Sequence, residues 1–177
     1  VKMTDSQVTD NTAECSGVAI GAVSAVQGQF LNVLMDSNTA NSSFAAAANV
    51  YGAAFSTALF PWIAHADCSV GTLTFDTVTF RGSGELSERT LGEAIFIGPP
   101  PCAMAKLRIV RCSFEALGAS AVVAAAATID ARRVTVTRSR PSVDFSASEI
   151  EISQWQVSDI RTPYPAVLRV SARTVAV

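Results

Sequence analysis

The stretch Leu107-Arg-Ile-Val-Arg-Cys-Ser-Phe114 decides the fold. Apolar side chains fall at its first, third, sixth and eighth places, and polar or basic side chains fill most of the places between. Successive side chains of a strand point to opposite faces, so this spacing reads as two short alternating runs joined by a two-residue step at Val110-Arg111. A strict period of two forbids that step, and the chain is predicted to bend there.

The same spacing recurs along the chain. It is met by Val1, Met3, Ser6 and Val8, by Gly28, Phe30, Val33 and Met35, and by Leu73, Phe75, Val78 and Phe80. After Leu107, Ile109, Cys112 and Phe114 come Ile129, Ala131, Val134 and Val136, then Ile150, Ile152, Trp155 and Val157, and last Val170, Ala172, Val175 and Val177. Of the 28 template positions only Ser6 and Gly28 are not hydrophobic, whereas the 28 positions between them hold four hydrophobic residues, Leu31, Leu34, Val110 and Ala176. That contrast separates an inward face from an outward one. Successive copies start 27, 45, 34, 22, 21 and 20 residues apart. A basic unit with insertions in its early copies is the signature of a stacked repeat, because insertions map to loops while the strands keep register.

Each unit carries a second short apolar run: Gly17–Ala22, Val50–Phe55, Glu93–Ile97, Ala121–Ala124, Val143–Phe145 and Ala166–Leu168. The first two copies also share the polar bends Val8-Thr-Asp-Asn-Thr-Ala13 and Met35-Asp-Ser-Asn-Thr-Ala40, in which Asn11 and Asn38 would stack. With three runs per unit, the expected fold is all-β, a right-handed parallel β-helix (solenoid) of about six to seven coils formed by residues 1–177 as one segment. Loop insertions are expected at 56–72 and 82–105, where Pro61 and Gly98-Pro-Pro-Pro101 interrupt the pattern. Gly118–Ala127 is Ala-rich enough for a helix, but strand-like runs flank it and ten residues are marginal for one. The chain opens on Val1 and closes on Thr174-Val-Ala-Val177 in mid-pattern, so we expect it to be a piece of something longer.

The unit resembles the repeats of right-handed parallel β-helix proteins of the pectin-lyase-like superfamily. Val33-Leu-Met-Asp-Ser-Asn-Thr-Ala40 and Gly17-Val-Ala-Ile20 carry a pattern that also looks like that of surface and autotransported adhesin-like proteins. The Ala-, Val-, Arg- and Ser-rich style is similar to that of the dispersed-gene-family surface proteins of trypanosomes. These resemblances imply a secreted or cell-surface protein that is structural or adhesive, with glycans or host and cell-surface proteins as partners alongside neighbouring coils of the same chain. The alternative they imply is a polysaccharide lyase or hydrolase with its catalytic coils elsewhere. Such enzymes would carry clustered Asp residues for Ca²⁺ or acid/base work.

That cluster is not legible. The second runs offer only Glu93 and Asp144, two coils apart at roughly 10 Å or more. Asp76, Asp130, Glu151 and Asp159 occupy non-equivalent places around the unit. His65, the one histidine, is followed by Asp67, but Gly82-Ser-Gly84 lacks the strand–turn–helix setting of a nucleophile elbow. The four Cys are widely spaced with no CxxC pair, so no metal is expected, nor any cofactor. No catalytic residue is assigned.

A net charge of −2 gives no reason to expect nucleic acid. Ser37–Ala66 is free of charge and long enough to span a bilayer, yet Asn41, Asn49, Gly52 and Pro61 break it, which disfavours a membrane span. Cys68 and Cys102 each lie five residues before a template start, so they would stack within disulfide reach and imply an oxidising compartment. Cys112 belongs to an inward column and is expected as a buried thiol. Arg108, Arg111, Arg132 and Arg133 fall in two successive units and would form a basic patch diluted by Asp130 and Glu151. Asn41-Ser-Ser43 fits the N-glycosylation pattern.

Overall fold

A computed structural model of the chain describes residues 2–10, 12–13, 20–21, 28–37, 39–40, 55–57, 71–82, 95–97, 104–116, 122–138, 143–159 and 168–176. These residues form an all-β structure with no helix among them. The long strands are β1 (Lys2–Thr9), β4 (Gly28–Asp36), β7 (Thr72–Arg81), β9 (Met104–Val110), β11 (Val122–Thr137), β12 (Val143–Ser158) and β13 (Leu168–Ala176). Shorter ones are β2 (Thr12–Ala13), β3 (Ile20–Gly21), β5 (Thr39–Ala40), β6 (Phe55–Thr57), β8 (Ile95–Ile97) and β10 (Ser113–Glu115). Eleven of them join one sheet in which every pairing is parallel, and β2 pairs with β5 separately, also in parallel.

The register is that of the repeat for the first six copies. Met3 lies beside Phe30, Phe30 beside Phe75, Phe75 beside Ile109, Ile109 beside Ala131 and Ala131 beside Ile152. The eighth place does the same through Val8, Met35, Phe80, Phe114, Val136 and Val157. Like therefore stacks on like. Phe30 and Phe75 lie nearly parallel at 5.0 Å, as do Phe80 and Phe114, while Phe75 meets Phe80 edge-on at 5.9 Å. All four rings are buried. The second runs keep register as well, the backbone of Ile20 pairing beside Phe55, Phe55 beside Ile95, Ile95 beside Val122, Val122 beside Val143 and Val143 beside Leu168. Strand β8 thus sits inside the stretch 82–105 expected as an insertion, and strand β11 replaces any helix from Val122 onward.

The bend has a specific backbone form. Asp5, Asn32, Thr77, Arg111, Arg133 and Gln154, the fifth residue of each of six copies, all have φ between 49° and 57°. The tenth residue repeats the device in Asp10, Ser37, Ala116, Arg138 and Asp159, with φ between 50° and 56°, and Gly82 holds that place in the third copy. A left-handed residue reverses the in–out alternation by one step, which is why the apolar spacing widens from two to three across it. At the tenth place each N–H donates to the carbonyl of the ninth residue in the next copy: Asp10 to Asp36, Ser37 to Arg81, Gly82 to Glu115, Ala116 to Thr137 and Arg138 to Ser158, at 2.9–3.3 Å. Left-handed corners cost an ordinary residue about 1–2 kcal/mol, and here the next copy holds these five in place.

The two exceptions in the template have local causes. A Cβ on Gly28 would come within 2.7 Å of Leu73 Cδ2 and 3.1 Å of the Phe30 ring, so glycine leaves the space that Leu73 fills. Gly28→Ala is expected to displace the Leu73 side chain and to cost about 1–3 kcal/mol, measured as a lower urea midpoint with an unchanged denaturant slope. Ser6 lies in partly exposed β1 and turns its hydroxyl to donate to the Thr4 carbonyl at 2.7 Å.

The seventh copy stands in another register. Val170 pairs with Phe145, Ala172 with Ala147 and Val175 with Ile150, so β13 extends the second run into the first rather than repeating Ile150–Val157. The reason lies in the spacing itself. Phe145, Ala147, Ile150 and Ile152 have the same intervals as Ile150, Ile152, Trp155 and Val157, and Val170–Val177 fits either window.

Candidate interaction surface

The outward places carry the charge, and stacking sorts it into columns. At the ninth place Asp36, Arg81 and Glu115 are neighbours in successive copies, with Arg81 bridging the other two at 3.5 Å and 3.2 Å. The Ser113 hydroxyl, at 2.8 Å, and then Arg81 hold the Glu115 carboxyl below its ordinary range. At the second place Arg108 lies beside Asp130 and Asp130 beside Glu151, so these two acids, expected at non-equivalent places, in fact stack at the same one. Arg132 reaches both acids, Asp130 at 2.6 Å and Glu151 at 2.7 Å, while Arg108 approaches Asp130 at 3.5 Å. Asp130 is only 9% exposed, and the two arginines offset the cost of burying its charge.

The four arginines expected as a basic patch are brought to adjoining copies. Arg108 and Arg132 meet at Asp130; Arg111 binds Asp76 at 2.6 Å and Thr77 at 3.2 Å. Arg133 donates to the Gln154 amide oxygen at 2.8 Å. The face they make is one of alternating sign, with short range in salt. Beside it, at the opposite end of the fifth-place row, Asp5, Asn32 and Thr77 border a polar hollow of about 290 Å³. Asn32 there donates its amide to the Asp5 carboxylate at 2.7 Å.

Cys112 is 2% exposed in the column of Val78 and Val134, and Trp155 of the same column donates its indole N–H to the Ala131 carbonyl at 3.0 Å. Its thiol lies 3.4 Å from the Val110 carbonyl and 3.5 Å from that of Phe75. Burial pushes the thiol from its ordinary 9.0 to about 12, so the nucleophilic thiolate is suppressed. We expect Cys112 to resist iodoacetamide in the folded chain and to react once urea unfolds it, as read by peptide mass mapping. Because the folded form binds the proton more tightly, this group's contribution to stability is complete below about pH 9 and is lost as pH rises toward about 12.

Several sequence expectations lie outside the described residues: Cys68, Cys102, Cys15, Asn41, Glu93, His65 and Asp67. Asp144 pairs through its backbone with Val123 and Arg169. Among the described residues no three His, Cys, Asp or Glu side chains gather to hold a metal ion, and no helix is long and apolar enough to cross a membrane. Sequence reasoning missed the left-handed corners and the alternation of charge along the ninth-place column. The second was open to view once Asp36, Arg81 and Glu115 were seen to share a place. Compared with family models, curated proteins and solved structures, the chain matches none.

Proposed function

We propose that the chain is a right-handed parallel β-helix segment of a secreted or cell-surface protein, acting as a structural or adhesive module with no chemistry of its own. The observation that carries this reading is the twofold stacking of parallel strands: β11 and β12 each contain a second run and the following 1-3-6-8 unit, and both halves pair with the same halves of the next copy. Winding the chain once per copy satisfies both rows at once and gives the outward places to solvent. Those places present hydroxyls, amides and paired charges in rows about 4.8 Å apart, a flat polar surface suited to contact with a glycan or a protein. Paired arginines and acids favour a neutral or mixed-charge partner over a polyanion, because Arg108, Arg111 and Arg132 already have counter-charges, while Arg133 is held by the Gln154 amide.

The test combines two assays on the purified chain. Retention of cell-surface glycans or proteins on the immobilised chain, lost when Arg108, Arg111, Arg132 and Arg133 are replaced together by serine, supports the adhesive reading. Release of unsaturated product from pectin or alginate with Ca²⁺, abolished by Glu93→Gln with Asp144→Asn, would overturn it in favour of a carbohydrate-active enzyme.

A further inference from the structure

We propose that the polar hollow beside the first corner row binds one neutral sugar residue of a glycan, an inference that deepens the adhesive reading and rests on it. The hollow, of about 290 Å³, lies on the outer face of β1, β4 and β7. That is the small end of ligand-pocket sizes, room for a single sugar ring. The repeat itself builds its walls. Fifth- and seventh-place side chains point outward on either side of the inward sixth. Stacked copies therefore set Asp5, Asn32 and Thr77 along one wall and Gln7, Leu34 and Thr79 along the other. A further strand beside β1 would lengthen both rows and leave these six residues where they are.

A pyranose carries hydroxyls around its rim and aliphatic C–H groups on its faces, and the hollow matches both. Leu34, half-buried between Gln7 and Thr79, is one of the four hydrophobic residues at the intervening places of the repeat. It offers the ring face an apolar contact. Groups that suit hydroxyls stand around it. Asn32 donates one amide N–H to the Asp5 carboxylate at 2.7 Å. A carboxylate has about four acceptor positions, and an amide has a second N–H and a carbonyl oxygen, so the pair can serve neighbouring hydroxyls as donors and as acceptors. The Gln7 amide and the Thr79 hydroxyl add the same capacity from the other wall.

Charge narrows the class. Asp5 is the one charged side chain among the described lining residues, and it opposes the carboxylate or sulfate of an acidic glycan. At the far end Arg111 donates to the Thr77 hydroxyl at 3.2 Å, but its charge is met by Asp76 at 2.6 Å. A protonated amine would meet a single exposed carboxylate, a contact of little worth in water.

Saturation-transfer NMR on the 177-residue chain, with the methyl glycosides of glucose, galactose and mannose as probes, tests the site. At least one should bind, with saturation strongest at the C–H protons of one ring face. Asp5→Asn and Leu34→Thr should each weaken it about tenfold, the scale of one charge-assisted hydrogen bond or one apolar contact. Threonine already holds the seventh place in Thr79 and Thr135, so Leu34→Thr suits the strand. Leu34→Tyr should tighten binding by offering a flat ring, a gain that a damaged fold cannot produce. Gln156→Ala, in the same row beyond the hollow, should change nothing. Binding of none of the three probes, stronger binding of methyl glucuronide or methylamine, or binding that no substitution of Asp5 or Leu34 alters would overturn the site. Glycans or proteins still retained by the immobilised chain would in that case leave the adhesive reading standing, so the two fail separately.

Discussion

Phe75→Ala is expected to cost about 3–5 kcal/mol, a large share of the about 5–15 kcal/mol that holds an ordinary domain folded. Phe75 is fully buried, stacks on Phe30 at 5.0 Å and meets the edge of Phe80 at 5.9 Å. Its removal leaves a hole bounded by two other rings and by Ile109 of the next copy, none of which can collapse into it without leaving its own strand register. Phe75→Leu keeps most of the volume and should cost less than about 1.5 kcal/mol. Urea unfolding followed by far-UV circular dichroism measures both. Equal midpoints for the two variants would show that this column does not hold the stack together.

Arg111→Pro is expected to be nearly as damaging, although Arg111 is a surface residue. Proline fixes φ near −65°, against the 54° found here, and removes the N–H that donates to the Arg132 carbonyl at 2.9 Å. A loss of about 3 kcal/mol or more follows. Arg111→Gly is the control. Glycine gains at the left-handed corner what arginine lacks, about 1–2 kcal/mol, and gives back about 0.5–1 kcal/mol in unfolded-chain entropy and up to about 1 kcal/mol in the exposed pair with Asp76. Its midpoint should lie within experimental reach of the parent's. If proline and glycine behaved alike, the corner would not be left-handed in solution.

The inward columns were legible because burial imposes a periodicity that survives changes of residue: Phe30, Phe75, Ile109, Ala131 and Ile152 differ in size but share a place. The bend was legible as a break in that periodicity. Its left-handed backbone was not, since Asp5 and Asn32 tolerate such a conformation readily while Thr77, Arg111, Arg133 and Gln154 give no local sign of it. The final register is ambiguous in the sequence for a different reason. Apolar intervals of two and three alternate all along Phe145–Val157, so the pattern has a finer period than the repeat unit. Only pairing with Val143–Glu151 distinguishes the two placements of β13. The arginine surface was half legible: that Asp130 and Glu151 lie nearby is evident from place numbers, but that Arg132 spans both acids depends on side-chain reach.

The parallel ladders also give the molecule a mechanical grain. Their hydrogen bonds run from copy to copy, across the strands. Traction along the strands would load each ladder in shear, sharing the force among all its rungs. Traction at right angles would instead open a single row at a time, like a zip. A tether attached at one corner row would therefore resist or yield according to the direction of pull, and the left-handed residues mark where each ladder is interrupted and the first tear would start.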